Sequence, residues 1–308
     1  MINSLKPRSI LLINDKQKYN SRYRSELIST LNKNYRVNSR GCFDNFCGFL
    51  RTFLQLVFIN YTVIVSSNLK SNLLNLLIFW RKKIIIFNGL GRYRQSKILR
   101  SLISLLFKIQ VHKNLVFVQN YADYRYFRKH AFKLDKLCWM PGSGGTKRHL
   151  GSDQSRISVI TRDEKLPSQI DSITEFLSEC STHSRVVLVG INNMGKTLTG
   201  NLSYDSVGYV DQTDILKFSN ALLVPEGYGE GVPHTLVDAI ISGAEIYLSK
   251  LSYIRYGFYK YTSCEFLDHK KRWARLNLNQ ELREIVASEF VIYEVVSEMN
   301  NFIIKKES

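Results

Sequence analysis

"ALLVPEGYGEGVPHTLVDAIISGAEIYLS", residues 221–249, reads as strand, loop, short helix, loop and strand. The apolar run that opens it is of strand length and stops at Pro225, Pro233 suits the first position of a helix, and Gly243 suits the residue just past its end. Glycines crowd the loop ahead of that helix, where the backbone can come close to a ligand and where unpaired N–H groups meet the positive end of the helix dipole. That combination is a natural seat for a diphosphate. Glu230 at the helix mouth and Asp238 further along are both able to accept hydrogen bonds from sugar hydroxyls. Acids near a helix start are also ordinary capping residues, so the residues alone leave both readings open.

The same rhythm extends in both directions. In the first half "SILLIN" (9–14), "TVIVSS" (62–67), "KIIIFN" (83–88) and "LVFVQ" (115–119) have strand length. They alternate with helical patterns at "SRYRSELISTLNK", "SNLLNLLIFWR" and "SKILRSLISLLFKIQ". The alternation resumes after residue 155 with "RISVIT", "SQIDSITEFLSEC", "RVVLVG", "SVGYV" and "TDILKFSN" before reaching the opening stretch. Alternating strand and helix predicts β-α-β units and parallel sheets, hence two doubly wound α/β domains. The break falls in "MPGSGGTKRHLGSDQ" (140–154), rich in Gly and Ser. We therefore expect a first domain over residues 1–148, a second over 149–290, and a C-terminal helix over 291–308 that packs back on the first.

A chain of 308 residues with 44% hydrophobic and 22% charged residues is that of a folded protein. Five cysteines without a C-x-x-C pair suggest neither a disulfide framework nor a zinc site, and predict reduced, buried thiols. The N-terminal apolar run is too short for a signal peptide. The greasiest stretch, 49–65, contains Arg51 and is too short to span a bilayer, which predicts a buried helix followed by a core strand. Lys plus Arg against Asp plus Glu is 27 against 5 for residues 1–150 and 16 against 21 for the remainder, so all of the excess positive charge lies in the first half. Such asymmetry points to a polyanion facing one domain. In "KILRSLISLLFKIQVHK" (97–113) a stripe of Ile98, Leu102, Leu105, Leu106 and Ile109 has basic edges. It suits either a helix lying on a membrane surface or a crossover helix packed on the sheet.

"RVVLVGINNMGKTLTG" (185–200) fits the P-loop pattern G-x-x-x-x-G-K-S/T through Gly190, Gly195, Lys196 and Thr197. A working P-loop opens a helix at the Lys-Thr pair, yet "TLTGNLSYDSVG" has no apolar stripe of helical period. No strand-closing acid follows to hold magnesium; "ALLVPEG" interposes Pro225 before Glu226.

The pattern E-G-x-P, the spacing of Glu230 to Asp238, and the following A-x-x-x-G resemble the E-x7-E signature of retaining glycosyltransferases of family four, which have the GT-B fold. "IND" (13–15) with Arg24 after it, "NGLGRYR" (88–94), "VFVQNYADYRYF" (116–127) and "PGSGG" (141–145) are similar to the capsule and O-antigen branch of that family, in family order.

The resemblance implies two Rossmann-like domains facing a central cleft. A nucleotide-sugar, taken as UDP-linked, would sit on the second domain and an acceptor on the first. Transfer would retain the anomeric configuration and proceed without a metal ion or other cofactor. By position, Glu230 would contact the donor sugar, Gly231, Val232, Pro233 and His234 would line the diphosphate, and Asp238 would hold the ribose. Arg162 and Lys165 would face the diphosphate and stabilise the departing nucleotide. Acceptor contacts are expected near Arg24, Gly89, Gly91 and Arg92, because open α/β sheets bind ligands beyond the strand carboxyl ends.

The expected function is therefore a hexosyl- or N-acetylhexosaminyltransferase acting on a lipid-linked saccharide in bacterial surface polysaccharide assembly. It would be cytoplasmic and bound peripherally to the anionic inner face of the membrane. No nucleic acid partner is expected, since the cations are scattered over β-α-β units without a recognition motif. The alternatives are a P-loop NTPase using residues 190–197 and a catalytically weak or inactive GT-B paralogue.

Overall fold

The computed structural model describes residues 8–90, 96–110, 113–131, 136–179, 185–192, 204–226 and 231–304. The chain divides into two units. One contains residues 1–143, 229–231 and 289–308, the other residues 144–228 and 232–288.

The first unit runs β1 (Ser9–Asn14), α1 (Gln17–Tyr23), α2 (Ser25–Asn32), β2 (Arg36–Gly41), α3 (Phe46–Phe58) and β3 (Val63–Ser67). It continues through α4 (Leu69–Leu76), β4 (Lys83–Phe87), α5 (Lys97–Ile109), β5 (Asn114–Val118), α6 (Tyr121–His130) and β6 (Leu137–Trp139). Its sheet is parallel throughout, in the order β2-β1-β3-β4-β5-β6. The central strands are apolar on both sides, as a parallel sheet covered on both faces requires. Ile10, Leu12, Val63, Val65, Ile84 and Ile86 form one core with Leu27 and Leu31 of α2. Leu11, Ile13 and Ile64 pack with Leu56 of α3 and Leu74 of α4, and Ile85, Phe87 and Val116 pack with Ile103, Leu106 and Phe107 of α5.

The second unit runs β7 (Arg156–Ile160), α7 (Ile170–Glu179), β8 (Arg185–Val189), β9 (Tyr204–Val207), β10 (Ala221–Val224), α8 (His234–Ser242) and β11 (Glu245–Ser249). After these come α9 (Lys250–Tyr256), β12 (Cys264–Phe266), β13 (Trp273–Leu276) and α10 (Gln280–Val286). The strand order is β12-β13-β11-β10-β7-β8-β9. The last helix, α11 (Ser288–Ile304), sends Val291, Val295, Met299 and Ile303 into the core of the first unit beside Ile10 and Val63.

Several expectations need correction. The helix over 49–58 is not buried: of α3 only Thr52 and Leu56 are, and Phe46, Leu50, Phe53, Leu54 and Phe58 are exposed. On α5 the side that meets the sheet is Ile103, Leu106 and Phe107, which leaves Ile98, Leu102, Leu105 and Ile109 outside. The helix expected over 21–33 is broken at Arg24, whose backbone leaves helical geometry so that its side chain can turn inward. Residues 213–220 form turns and not a helix, and the strand placed at 206–210 starts two residues earlier, at Tyr204. The second sheet is not wholly parallel, since β13 and β12 close one edge antiparallel. Cys42, Cys47, Cys138 and Cys264 are free, but only Cys42 of them is buried: Cys138 and Cys264 are half-buried and Cys47 is exposed on α3. Burial pushes the Cys42 and Cys138 thiols up to about 12, which makes them inert.

Candidate functional site

In the second unit the chain leaves β7 towards β8 and β9 on one side and later returns to place β10 and β11 on the other. The carboxyl ends of β7 and β10 therefore flank the point where strand order reverses, which is where open α/β sheets bind ligands. Arg162 and Lys165 stand on the turn directly after β7, closed by Lys165 N–H donating to the Arg162 carbonyl at 2.9 Å; Arg162 is exposed. Asn192 N–H, beyond the end of β8, donates to Asp163 Oδ2 at 3.3 Å and holds the turn in place. Gly190 closes β8 with φ of +93°, and a Cβ there would stand 2.4 Å from the Thr161 carbonyl oxygen, so only glycine fits. The remaining P-loop positions, Gly195, Lys196 and Thr197, lie outside the described residues, as does Glu230.

The β10–α8 connection delivers the start of α8 to the other side of the reversal. Pro233 takes the cap position, one residue ahead of the expected first turn, and its ring offers no capping acceptor to the helix. Its end matches expectation, with Gly243 in the left-handed conformation at φ +81°. Val232 is a core residue packed with Leu236 and Ile240, so only its backbone faces the connection. His234 Nε2 stands 3.7 Å from Asp238 Oδ2.

Asp238 itself is fully buried. Its Oδ1 accepts from Thr146 N–H at 2.8 Å and its Oδ2 from Arg148 Nε at 3.2 Å. The oxygens that the resemblance assigns to ribose thus hold the 146–148 segment, and Arg148, partly exposed, is the group by which this acid reaches the surface. Neither Thr146 nor Arg148 stood out in the sequence. The signal was weak: polar residues following "PGSGG", with the buried acid of α8 needing a partner.

In the first unit the reversal lies between β1 and β3. β1 and β3 end in Asn14 and Ser67, and Asn88 and Gln119 directly follow β4 and β5; these polar residues join into one network with Arg24 at its centre. Arg24 is 4% exposed and has no carboxylate partner among the described residues. Its Nε and Nη2 donate to Ser67 Oγ at 3.3 and 3.1 Å, and Nη2 also to Asn88 Oδ1 at 3.0 Å. Nη1 donates to Ser143 Oγ at 3.3 Å and to the Tyr23 carbonyl at 3.2 Å. Burial lowers its pKa from the usual 12.5 to about 10, the mark of a cation held by neutral dipoles. Asn88 Nδ2 donates to Asn68 Oδ1 and Asn68 Nδ2 to Asn14 Oδ1, each at 2.5 Å, while Gln119 Nε2 donates to Ser143 Oγ at 3.0 Å. Asn68 holds φ +74° and ψ 159°, a region costly for any residue with a Cβ and found mainly at functional sites.

Gly89 has φ +123°, which glycine alone adopts freely. Gly91 and Arg92 lie outside the described residues. Gly231, which clusters with this unit, sits so close that a Cβ on it would be 2.4 Å from the Asn88 carbonyl oxygen and 2.8 Å from Gln119 Cβ. One helical turn before Arg24, a pocket of about 390 Å³ opens between α1, α2 and β2, lined by uncharged groups that include Gln17, Asn20, Ser25 and Ser29. Asn20 Oδ1 is buried there without a hydrogen-bond partner among the described residues. Arg24 and Gly89 were singled out from sequence; Ser67, Asn68, Gln119 and Ser143 were not, although a polar residue closing each apolar strand was the available sign.

The sequence matches no protein-family model and no curated protein. In three dimensions the chain is similar to Anabaena Alr3699/HepE, solved in complex with UDP and glucose, with a TM-score of 0.61 at 12% identity, covering 96% of this chain and all of that one. It is also similar to the apo form of the lipopolysaccharide outer core galactosyltransferase WaaB, with a TM-score of 0.56 at 11% identity, covering 97% and 99% of the two chains. At such identities the likeness defines a fold, and that fold is GT-B: two Rossmann-like α/β units, each with its polar loops at the carboxyl edge of a parallel-dominated sheet.

Proposed function

We propose that the chain is a glycosyltransferase that moves a sugar from a UDP-linked donor to a lipid-linked saccharide, in the manner of the retaining family-four enzymes of capsule and O-antigen assembly. The observation that carries this reading is the pairing of the Arg162–Lys165 turn with the Pro233-led start of α8, after the two strands that flank the reversal of the second sheet. Two cations and a helix dipole there would meet the negative charge that develops on a departing diphosphate, with no need of a metal ion. Glu230 would contact the donor sugar, and Asp238 would act through Arg148 and the 146–148 segment.

The acceptor would lie at the Arg24 network, whose buried charge has no carboxylate partner among the described residues and suits an anionic group. The uncharged pocket beside it has the amide and hydroxyl lining that sugar hydroxyls favour. The lipid carrier and the cationic first half would place the protein on the cytoplasmic leaflet.

A thermal-shift screen against UDP- and GDP-sugars tests the donor, since a ligand that binds only the folded state raises its stability. Turnover should collapse in Glu230→Ala and persist in Lys196→Ala. Magnesium-dependent nucleotide hydrolysis lost in Lys196→Ala would refute the transferase and favour the P-loop reading.

A further inference from the structure

Two crossover helices of the first unit, and the segment that follows a third, present apolar side chains away from the sheet. On α5, Ile98, Leu102, Leu105 and Ile109 recur along one stripe and are 83%, 46%, 53% and 62% exposed. On α3 the outward residues are Phe46, Leu50, Phe53 and Phe58, and the segment after α4 adds exposed Phe79 and Trp80. These positions lie on one side of the unit, because α3, α4 and α5 pack on the same face of the sheet. Their ends are tied together as well. Arg81 Nη1 donates to Asn60 Oδ1 at 2.6 Å and Nη2 to the Val57 carbonyl at 3.0 Å, and Lys113 Nζ donates to the Phe79 carbonyl at 3.2 Å.

So many exposed apolar side chains on one face of a unit mark an interaction site. Its charge identifies the partner. Between Asp44 and Asp123 the sequence contains no acid and eleven Lys or Arg, and Arg51, Lys97 and Lys108 are exposed among the apolar side chains of α3 and α5. A second copy of the chain would set cation against cation. An anionic lipid surface answers both the apolar and the cationic character. Among the described residues no helix is long and apolar enough to cross a membrane.

We propose that the outward face of α3, the α4–β4 connection and α5 inserts into the interface of an anionic bilayer. The apolar stripes lie among the upper acyl chains, and the lysine and arginine stems reach back to the headgroup phosphates. The helices' carboxyl ends, near Phe58, Trp80 and Ile109, stand at the amino-terminal edge of the strands, at the far end of the sheet from Arg24 and Asn88. This deepens the membrane part of the preceding reading. Its test reads no sugar transfer, so either can fail alone.

The full-length protein is floated with phosphatidylcholine vesicles that either contain or lack phosphatidylglycerol. Co-flotation is expected only with phosphatidylglycerol and should weaken as salt rises. Trp80 emission should shift to the blue and be quenched by brominated acyl chains, and Trp80→Phe should remove that component. Leu102→Ser with Ile109→Ser, which leaves every charge in place, should lower vesicle affinity at least tenfold while the thermal midpoint and circular dichroism stay unchanged. Unchanged affinity in the double variant, no quenching by brominated lipid, or a dimer that the double variant dissociates without any vesicle binding would overturn the proposal.

Discussion

Lys83 allows a prediction whose size follows from the structure. It opens β4 with no solvent exposure, on the sheet face that supports α4 and α5. Its Nζ donates to Gln110 Oε1 at 2.7 Å and to the Arg81 carbonyl at 2.9 Å. Burial, helped by the charge of Lys113, lowers its pKa from 10.5 to about 7. That fall corresponds to a penalty of about 5 kcal/mol on the charged form. Between pH 7 and 10.5 the unfolded chain therefore binds a proton here that the folded protein does not, so stability rises with pH across that window. Below pH 7 both states hold the proton and the penalty is constant.

Lys83→Met removes the titration. It leaves Gln110 Oε1 and the Arg81 carbonyl unpaired, which costs about 1–3 kcal/mol at every pH. Urea midpoints of both proteins measured from pH 6 to 9 should diverge, the native protein gaining about 2–3 kcal/mol on the variant over the upper two pH units. Other titrating groups cancel in the difference. Parallel curves would refute the assignment of a neutral buried lysine.

Three further substitutions probe the sites. Asp238→Ala should lower stability by about 3 kcal/mol, because Arg148 and Thr146 N–H lose a buried partner; a higher donor KM with unchanged urea midpoint would instead mean that the carboxylate serves the ribose alone. Asn68→Gly relieves backbone strain of about 1–3 kcal/mol while giving up two side-chain hydrogen bonds. Its urea midpoint should stay near the native value, and transfer at saturating donor should fall at least tenfold. Gly190→Ala, with its Cβ 2.4 Å from the Thr161 carbonyl oxygen, should cost about 1–3 kcal/mol and weaken the donor-induced thermal shift by displacing the Arg162 turn.

The strands were legible because a parallel strand is apolar on both faces and stops abruptly. "SILLIN", "KIIIFN" and "RVVLVG" are all strands where the sequence places them. Strands that lack that signature were missed. β2 is an edge strand of alternating Arg, Asn and Ser, and β12 and β13 are a short antiparallel pair whose residues face solvent in part. In the sites, "VPHTLVDAIISG" fixes the ends of α8 through Pro233 and Gly243, local features that need no tertiary partner. Asp238, by contrast, turns inward to residues 146 and 148, about ninety positions away, and nothing within its own helix foretells that.

The helices α3 and α5 show a different limit. Periodicity locates an apolar stripe but does not say what covers it, and α5 carries two. Leu106 belongs to the stripe expected from spacing yet lies with Ile103 and Phe107 against the sheet, while the other four members of that stripe face outward. An amphipathic helix on a soluble protein would be polar on that outer side. That the outer side is itself apolar, in a stretch without a single acid, is the character that the lipid surface proposed above would answer.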